Sequence, residues 1–356
     1  MAKKQKKLKS GFRVEIVSKS LYAGSGPRGV DVYARHLFDE LSRISSTDKI
    51  LLAKDKPVDK KADLIHYTFF DPFFLTLWGL TSKAQYVVTV HDLIPLKFPE
   101  HFPVGLKGKA KWLLQKSALQ KSAAIITDSL CSKKDIAHFT GIKEDKIFVV
   151  PLAAGHTLVS SKIVKVVTKE YNLPERYLLY VGDINWNKNV PGLIRAFSAL
   201  DSKQTHLVLV GKAFESSKET VEYKQIEEAI RESGKREFIH MLGFVPSHHL
   251  PSIYRGATLY IQPSWYEGFG FPVLEAMEQK TPVLSAITGS LMEVAGSHAH
   301  YFDPSDQKDF VAKLKDLLRN KAKREQYIES GRDWARSFSW EKVVKETHAV
   351  YEKVLG

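Results

Sequence analysis

The sequence predicts an α/β protein of two domains, each built on a mostly parallel sheet. Three observations carry this. Short apolar runs alternate with stretches of helical period, both halves of the chain share that β-then-α layout, and 356 residues suffice for two cores of ordinary size. The composition, 44% apolar and 26% charged, is that of a globular chain and excludes collagen-like or disordered classes.

In the first half, Phe12–Val17 alternates as a half-buried strand. A glycine-bearing loop, Ser20 to Gly29, and a helix over Val30–Leu41 follow, which is how nucleotide-binding α/β domains open. Gly24, Gly26 and Gly29 do not complete a dinucleotide fingerprint, so that ligand is weakly supported. Further strands are expected at Ile50–Ala53, Leu64–Tyr67, Tyr86–Val90, Ala124–Thr127 and Ile147–Val150. His91 stands at the carboxyl end of one of them, where parallel sheets bind ligands, although an isolated histidine is commonly structural. Asp128 or Ser129 caps the helix after Ile126-Thr127, and no reaction role follows for either.

Val104 to Lys121 combines five lysines with Leu106, Trp112, Leu113, Leu114 and Leu119. It reads as a basic amphipathic helix that either lies in a membrane interface or packs its apolar stripe on the sheet while the lysines are solvated. Residues 156–174 show neither period and are read as a linker. The expected organisation is therefore a basic tail at 1–10, a first domain at 11–155, that linker, a second domain at 175–338, and a final helix at 339–356.

Charge is unevenly spread. Residues 1–155 carry 26 Lys and Arg against 15 Asp and Glu (+11), and the rest carry 27 against 25 (+2), within a total of +13. Such a field suits a polyanion or an anionic leaflet, or is simply a solubilising surface. Aromatic residues interleaved with basic ones on exposed strands are not evident, so nucleic acid is not expected. Cys131, the one cysteine, can form neither an internal disulfide nor a thiolate cluster, which fits a reducing, cytoplasmic setting. No secretory signal is visible, and the greasiest segment, Leu64–Leu80, is broken by His66, Asp71 and Pro72.

The second half holds the densest chemistry. Gln262 to Glu275 places two carboxylates, two glycines and a helix-opening proline between the strand Leu259–Ile261 and a helix that starts near Pro272. Gly268 and Gly270 allow close backbone approach, and the N–H groups from Gly270 to Val273 form the positive end of a helix, an anion site. Glu275, in the first helical turn, can accept from a ribose diol, and Glu267 faces whatever lies beyond the phosphates. One loop could hold the ribose, diphosphate and sugar of a nucleotide sugar.

These residues, Glu267 and Glu275 separated by seven in the wording EGFGFPVLEAM, resemble the family-4 retaining glycosyltransferases. That likeness implies the GT-B fold: two Rossmann-like domains facing each other across a cleft, with a C-terminal helix crossing back to the first. It extends from Phe12 to Leu355. It implies that Gly29 in G-V-D-V-Y-A-R-H-L faces the donor phosphates, that His91 in T-V-H-D-L-I-P lines the acceptor pocket and contacts the donor sugar, and that Phe244 and Val245 cradle the base through backbone groups. The loop after Tyr177–Gly182 would place Lys188 on the diphosphate, although Asn187 stands where the family has arginine, so either Lys188 acts with loop and helix N–H groups alone or a second cation such as Lys212 moves in. Gly268, Phe269, Gly270, Phe271 and Val273 complete the donor side, with Gly182 and Asn187; Gly289 gives close approach near the sugar, and Glu293 steadies a helix turn.

The expected reaction is metal-independent transfer of a hexose with retention, without a cofactor, and the motif region has no D-x-D. The wording is nearest the mannosyltransferase-like branch, so GDP-mannose leads and a UDP-sugar is the alternative donor. A glycan or lipid-linked acceptor is implied, in surface polysaccharide or glycoconjugate synthesis, with peripheral attachment at the inner membrane face suggested by the basic half. The competing readings are a catalytically weak GT-B-shaped binding or scaffold protein and a basic nucleic-acid binder.

Overall fold

A computed structural model describes residues 11–18, 29–44, 48–77, 83–155, 157–202 and 204–356. The chain divides into two compact units, Met1–Pro151 with Trp340–Gly356, and Leu152–Ser339. The basic tail at 1–10 and the Ser20–Arg28 part of the glycine loop, with Gly24 and Gly26, lie outside the described residues.

The first unit is a parallel six-stranded sheet of β1 (Arg13–Ser18), β2 (Lys49–Lys54), β3 (Leu64–Tyr67), β4 (Gln85–Thr89), β5 (Ala124–Thr127) and β6 (Ile147–Val149), in the order β2-β1-β3-β4-β5-β6. The second is another: β7 (Tyr177–Val181), β8 (His206–Val210), β9 (Ile239–Gly243), β10 (Leu259–Gln262), β11 (Val283–Ala286) and β12 (His300–Phe302), in the order β12-β11-β10-β7-β8-β9. Runs such as Leu178-Leu179-Tyr180 and Leu259-Tyr260-Ile261 are wholly buried because helices cover both faces, the condition for an all-parallel sheet. Both units are therefore Rossmann-like. In the second, strand order reverses between β7 and β10, and a ligand crevice opens at the carboxyl ends of strands flanking such a switch point.

The helix Trp340–Leu355 belongs to the first unit and packs on the helix Gly29–Ile44 and on β4 and β5. Tyr351 Oη lies 2.6 Å from His66 Nδ1, and His348 Nε2 lies 2.8 Å from Asp48 Oδ2. Trp340 stacks on His36 with ring centres 4.7 Å apart.

Two sequence-based expectations change. The stretch read as an aperiodic linker contains a helix, Ser161–Glu170, capped by Ser160 Oγ on the Ile163 amide (3.4 Å). Gln279 pins the segment before it by accepting from Val159 N and donating to the Thr157 carbonyl, both at 3.1 Å. The basic segment does form a helix, Leu106–Gln120, but its leucines do not share one stripe: Leu119 is in the core, whereas Leu106, Leu113 and Leu114 are exposed. Among the described residues no helix is long and apolar enough to cross a membrane.

Candidate active site

The switch point of the second unit brings together the loops that follow β7 and β10. After β7 the chain makes a short 3-10 turn, Trp186–Lys188, and Asn189 then takes a left-handed conformation (φ 52°) to start the helix Val190–Ser198. Lys188 Nζ thereby reaches both carboxylate oxygens of Glu267, each at 2.8 Å. Glu267 is 6% exposed. Its Oε1 also accepts from Ser264 Oγ (2.7 Å) and Gln262 Nε2 (2.9 Å), and Gln262 accepts from the Tyr260 hydroxyl. A buried carboxylate is tolerable on these terms, with a cation and two neutral donors replacing water.

Asn187 is bound to the protein itself. It is 3% exposed, its Nδ2 donates to the Tyr266 carbonyl (3.0 Å), and its own carbonyl accepts from Trp265 N (2.8 Å). The residue expected among the donor-binding groups is a staple between the two loops, because a short amide reaches the neighbouring backbone and no further. Trp186 and Trp265 stack across the same junction, 6.3 Å apart and 16° from parallel.

Gly270 caps the helix Phe271–Glu278 in a left-handed conformation (φ 99°) that an L side chain rarely adopts, and a Cβ there would lie 2.6 Å from Leu291. The anion end is narrower than expected. Val273 N donates to the Gly270 carbonyl (2.9 Å) and Pro272 has no N–H, so among the described residues the amides without a partner in this stretch are those of Gly270 and Phe271. Gly289 (φ 60°) closes on the loop from the other side: a Cβ on it would lie 2.6 Å from the Glu267 carbonyl oxygen, which Ser290 N and Oγ bind. Its close approach is to the Glu267 backbone.

Glu275 lies in the second turn of its helix, not the first, and is 7% exposed. The Tyr254 hydroxyl donates to its Oε2 at 2.7 Å. Tyr254 and Tyr260 meet edge to face, 5.5 Å between centres, so the two glutamates are joined through buried side chains: Glu275, Tyr254, Tyr260, Gln262, Glu267, Lys188. Burial first, and then Glu275 beside Tyr254 and Tyr180 beside Tyr260, push both phenols well above their ordinary range, so both remain donors.

The remaining donor-side residues are placed less closely. Phe269 (6% exposed) and Val273 are buried, and Phe269 meets Phe338 edge to face. Gly182 directly follows β7, with its amide bound to the Val210 carbonyl, so it shapes the strand end. Phe244 and Val245 follow β9; the Phe244 amide is committed to Glu215 Oε2 (3.2 Å), which removes one of the backbone groups expected to meet a base. Lys212 is exposed before the turn Ala213–Ser216 and has no ion-pair partner among the described residues.

Gly29 and His91 belong to the first unit. Gly29 opens its helix. His91 Nδ1 lies 2.7 Å from Asp128 Oδ2, and Tyr33 meets its ring edge-on at 5.3 Å. Burial alone would lower the imidazole's pKa, but the charge and hydrogen bond of Asp128 outweigh it and hold the value above the ordinary one. Ser129, not Asp128, caps the helix Leu130–Thr140, through Ser132 N. Asp128 was thus missed as a site residue, as was Tyr254; Gln262 and Ser264 lay inside the motif but carried no signal of their own.

Known proteins share this framework. Residues 8–154 match the family model "Glycosyltransferase Family 4", and residues 166–334 match "Glycosyl transferases group 1". The O-antigen chain mannosyltransferase B of Escherichia coli is 30% identical over 273 residues, which cover 75% of this chain and 70% of that protein. The serotype-specific mannosyltransferase WbdA of Escherichia coli is 25% identical over 262 residues, 71% of this chain but 32% of that longer protein. Among solved structures, Anabaena Alr3699/HepE in complex with UDP and glucose superposes with a TM-score of 0.75 at 14% identity, covering 96% of this chain and 100% of the other.

Proposed function

Because the chain belongs to the family-4 glycosyltransferases and has their GT-B fold, we propose that it moves a hexose from a nucleoside-diphosphate sugar to a glycan or lipid-linked acceptor, with retention at the anomeric carbon. The juxtaposition of Lys188 and Glu267 at the switch point carries this reading. An anionic donor entering there meets the one ammonium in contact with Glu267 among the described residues, together with the amides of Gly270 and Phe271. As the bond from the anomeric carbon to the phosphate oxygen breaks, the diphosphate gains charge, and fixed donors stabilise it most; the acceptor hydroxyl oxygen bonds to the anomeric carbon and its proton passes to the departing diphosphate. Lys188 must then divide its hydrogen bonds between Glu267 and phosphate, which leaves Glu267 able to bind sugar hydroxyls. Glu275, held by Tyr254, receives the ribose diol, and His91, held by Asp128, serves the acceptor side. No divalent metal and no cofactor enters this scheme.

Mannose is the leading sugar and GDP-mannose the leading donor, supported by the two mannosyltransferase relatives; the work is placed in the cytoplasm, in surface polysaccharide or glycoconjugate synthesis. A UDP-sugar is the second reading, favoured by the UDP and glucose of the structural neighbour. Since Asn187 is tied to Tyr266 and supplies no cation, turnover is expected to be slow.

The test is a panel of nucleotide sugars assayed for hydrolysis and transfer, with thermal shifts by GDP, UDP and ADP. Glu275→Ala should lose nucleotide affinity, and Glu267→Ala should retain it and lose transfer. Stabilisation by RNA and by no nucleotide would return the chain to the nucleic-acid reading. Equal nucleotide affinity for Glu275→Ala and the parent would remove the ribose role.

A further inference from the structure

Two loops of the second unit carry half-buried tryptophans beside the Lys188–Glu267 pair: Trp186, two residues before the lysine, and Trp265, two before the glutamate. Rings in full face-to-face contact lie about 3.5–4 Å apart. With centres 6.3 Å apart and planes 16° from parallel, each indole leaves most of its face uncovered by the other. The pairing is not needed to join the loops. Trp265 N donates to the Asn187 carbonyl (2.8 Å), Asn187 Nδ2 to the Tyr266 carbonyl and Asn189 Nδ2 to the Pro263 carbonyl, both at 3.0 Å. Both rings therefore stand on backbone fixed from either side, partly in water, which is the condition of a preformed binding surface.

The adjoining loop extends the apolar area. β11 lies next to β10, and after it Thr288 Oγ1 donates to the carbonyl of Ser264, the residue before Trp265 (2.7 Å); Ile287, beside Thr288, is 44% exposed. The rim is polar. Asp183 and Asn185, in the Trp186 loop, are exposed; Asp183 Oδ1 accepts from Ile184 N (2.7 Å), and its carboxylate has no ion-pair partner among the described residues. An apolar patch with a polar rim, at the carboxyl ends of the neighbouring strands β11, β10 and β7, has the form of a ligand site.

We propose that Trp186 and Trp265 form a stacking platform for a neutral pyranose, with Asp183 and Asn185 binding its hydroxyls. A pyranose presents a flat face of C–H groups, which an indole covers, and a fringe of hydroxyls, which a carboxylate and an amide bind at the edge. Charge selects the occupant, since a phosphate or uronate would meet Asp183 with no cation paired to it. Strand order separates the platform from a base. Phe244 and Val245 follow β9, beyond β8 on one side of β7, whereas the tryptophans follow β7 and β10 on the other. The sugar is part of a glycan acceptor, so its use rests on the transfer reading, to which it adds a neutral residue held by the second unit.

The experiment is a ligand-observed NMR titration of the full chain, without nucleotide, with mannotriose, maltotriose and chitotriose, and separately with GMP and UMP. At least one trisaccharide should bind with a Kd on the order of 1 mM. Trp186→Leu and Trp265→Leu should each weaken it about tenfold, and Trp186→Phe should recover most of that loss because it keeps a stacking face. All three variants should bind GMP and UMP as the parent does, and the two Trp186 variants should melt alike, which separates loss of the platform from loss of the fold. Nucleotide-sugar hydrolysis is assayed in parallel. Hydrolysis without trisaccharide binding removes the platform alone; trisaccharide binding that depends on the tryptophans, without any turnover, removes the transfer reading and leaves the sugar site. The proposal is overturned if no trisaccharide binds the parent, if both leucine variants bind as the parent does, or if they lose the nucleotides instead, which would make the pair a base platform.

Discussion

Replacing Lys188 by methionine tests whether the pair at the switch point is held as described. Methionine keeps much of the apolar stem and removes the ammonium, which leaves Glu267, 6% exposed, with Ser264 and Gln262 as its donors at 2.7 and 2.9 Å. Stripping one partner from a buried ion pair costs about 3–5 kcal/mol. The lysine side chain is 23% exposed and two neutral donors remain, so a loss of about 2 kcal/mol is expected here. In a domain of this size that lowers the melting temperature by roughly 4–8 °C. Adding Glu267→Gln removes the stranded charge, so Lys188→Met with Glu267→Gln should recover at least half of the loss. Urea unfolding at neutral pH, followed by tryptophan fluorescence, measures both. A single variant as stable as the parent, or a double variant no more stable than the single, would refute this account of the pair.

Asp128→Asn removes the charge that holds His91 above its ordinary pKa, so the imidazole should titrate at lower pH by NMR. In the parent, the stabilisation from that pair is complete below the unfolded value of about 6.5 and is lost as pH rises through the folded one; in Asp128→Asn this loss should vanish. His66 behaves in the opposite sense. Burial first, and His91 next, depress its pKa to about 3, so the folded state binds fewer protons than the unfolded one below about pH 6.5. This residue alone should cost about 1.4 kcal/mol per pH unit between those values, and His66→Gln should flatten the acid limb by about one proton; an unchanged slope would count against it. Gly289→Ala places a methyl 2.6 Å from the Glu267 backbone at positive φ, and should cost about 2 kcal/mol or more and reduce transfer while His91 titrates normally.

The sheets were legible because their strands are buried on both faces and so appear as unbroken apolar runs: Leu64–Tyr67 and Ala124–Thr127 were read to the residue. The helix Ser161–Glu170 was not, because its run of β-branched residues, Ile163, Val164, Val166, Val167 and Thr168, has low helix propensity. The loop around Glu267 was legible as a motif, but its internal bonds were not. Asn187 reaches the Tyr266 carbonyl, 79 residues away, and Asp128 reaches a histidine 37 residues upstream. Short polar residues beside helix starts read as caps, and nothing local distinguishes a carboxylate that caps from one that grips a distant ring. Tyr254 carried no signal, since a tyrosine in an apolar helix looks like packing until its hydroxyl is seen on Glu275.

The closing helix, Trp340–Leu355, has a bearing on how the molecule is made. Since Leu152–Ser339 is one uninterrupted piece and the other unit is assembled from both sides of it, the unit begun first on the ribosome is the last to receive all its parts. Until Tyr351 emerges, His66 Nδ1 lacks its hydroxyl partner and the helix Gly29–Ile44 lacks its neighbour. A released chain ending just before Trp340 would therefore carry one complete globule and one waiting for its keystone.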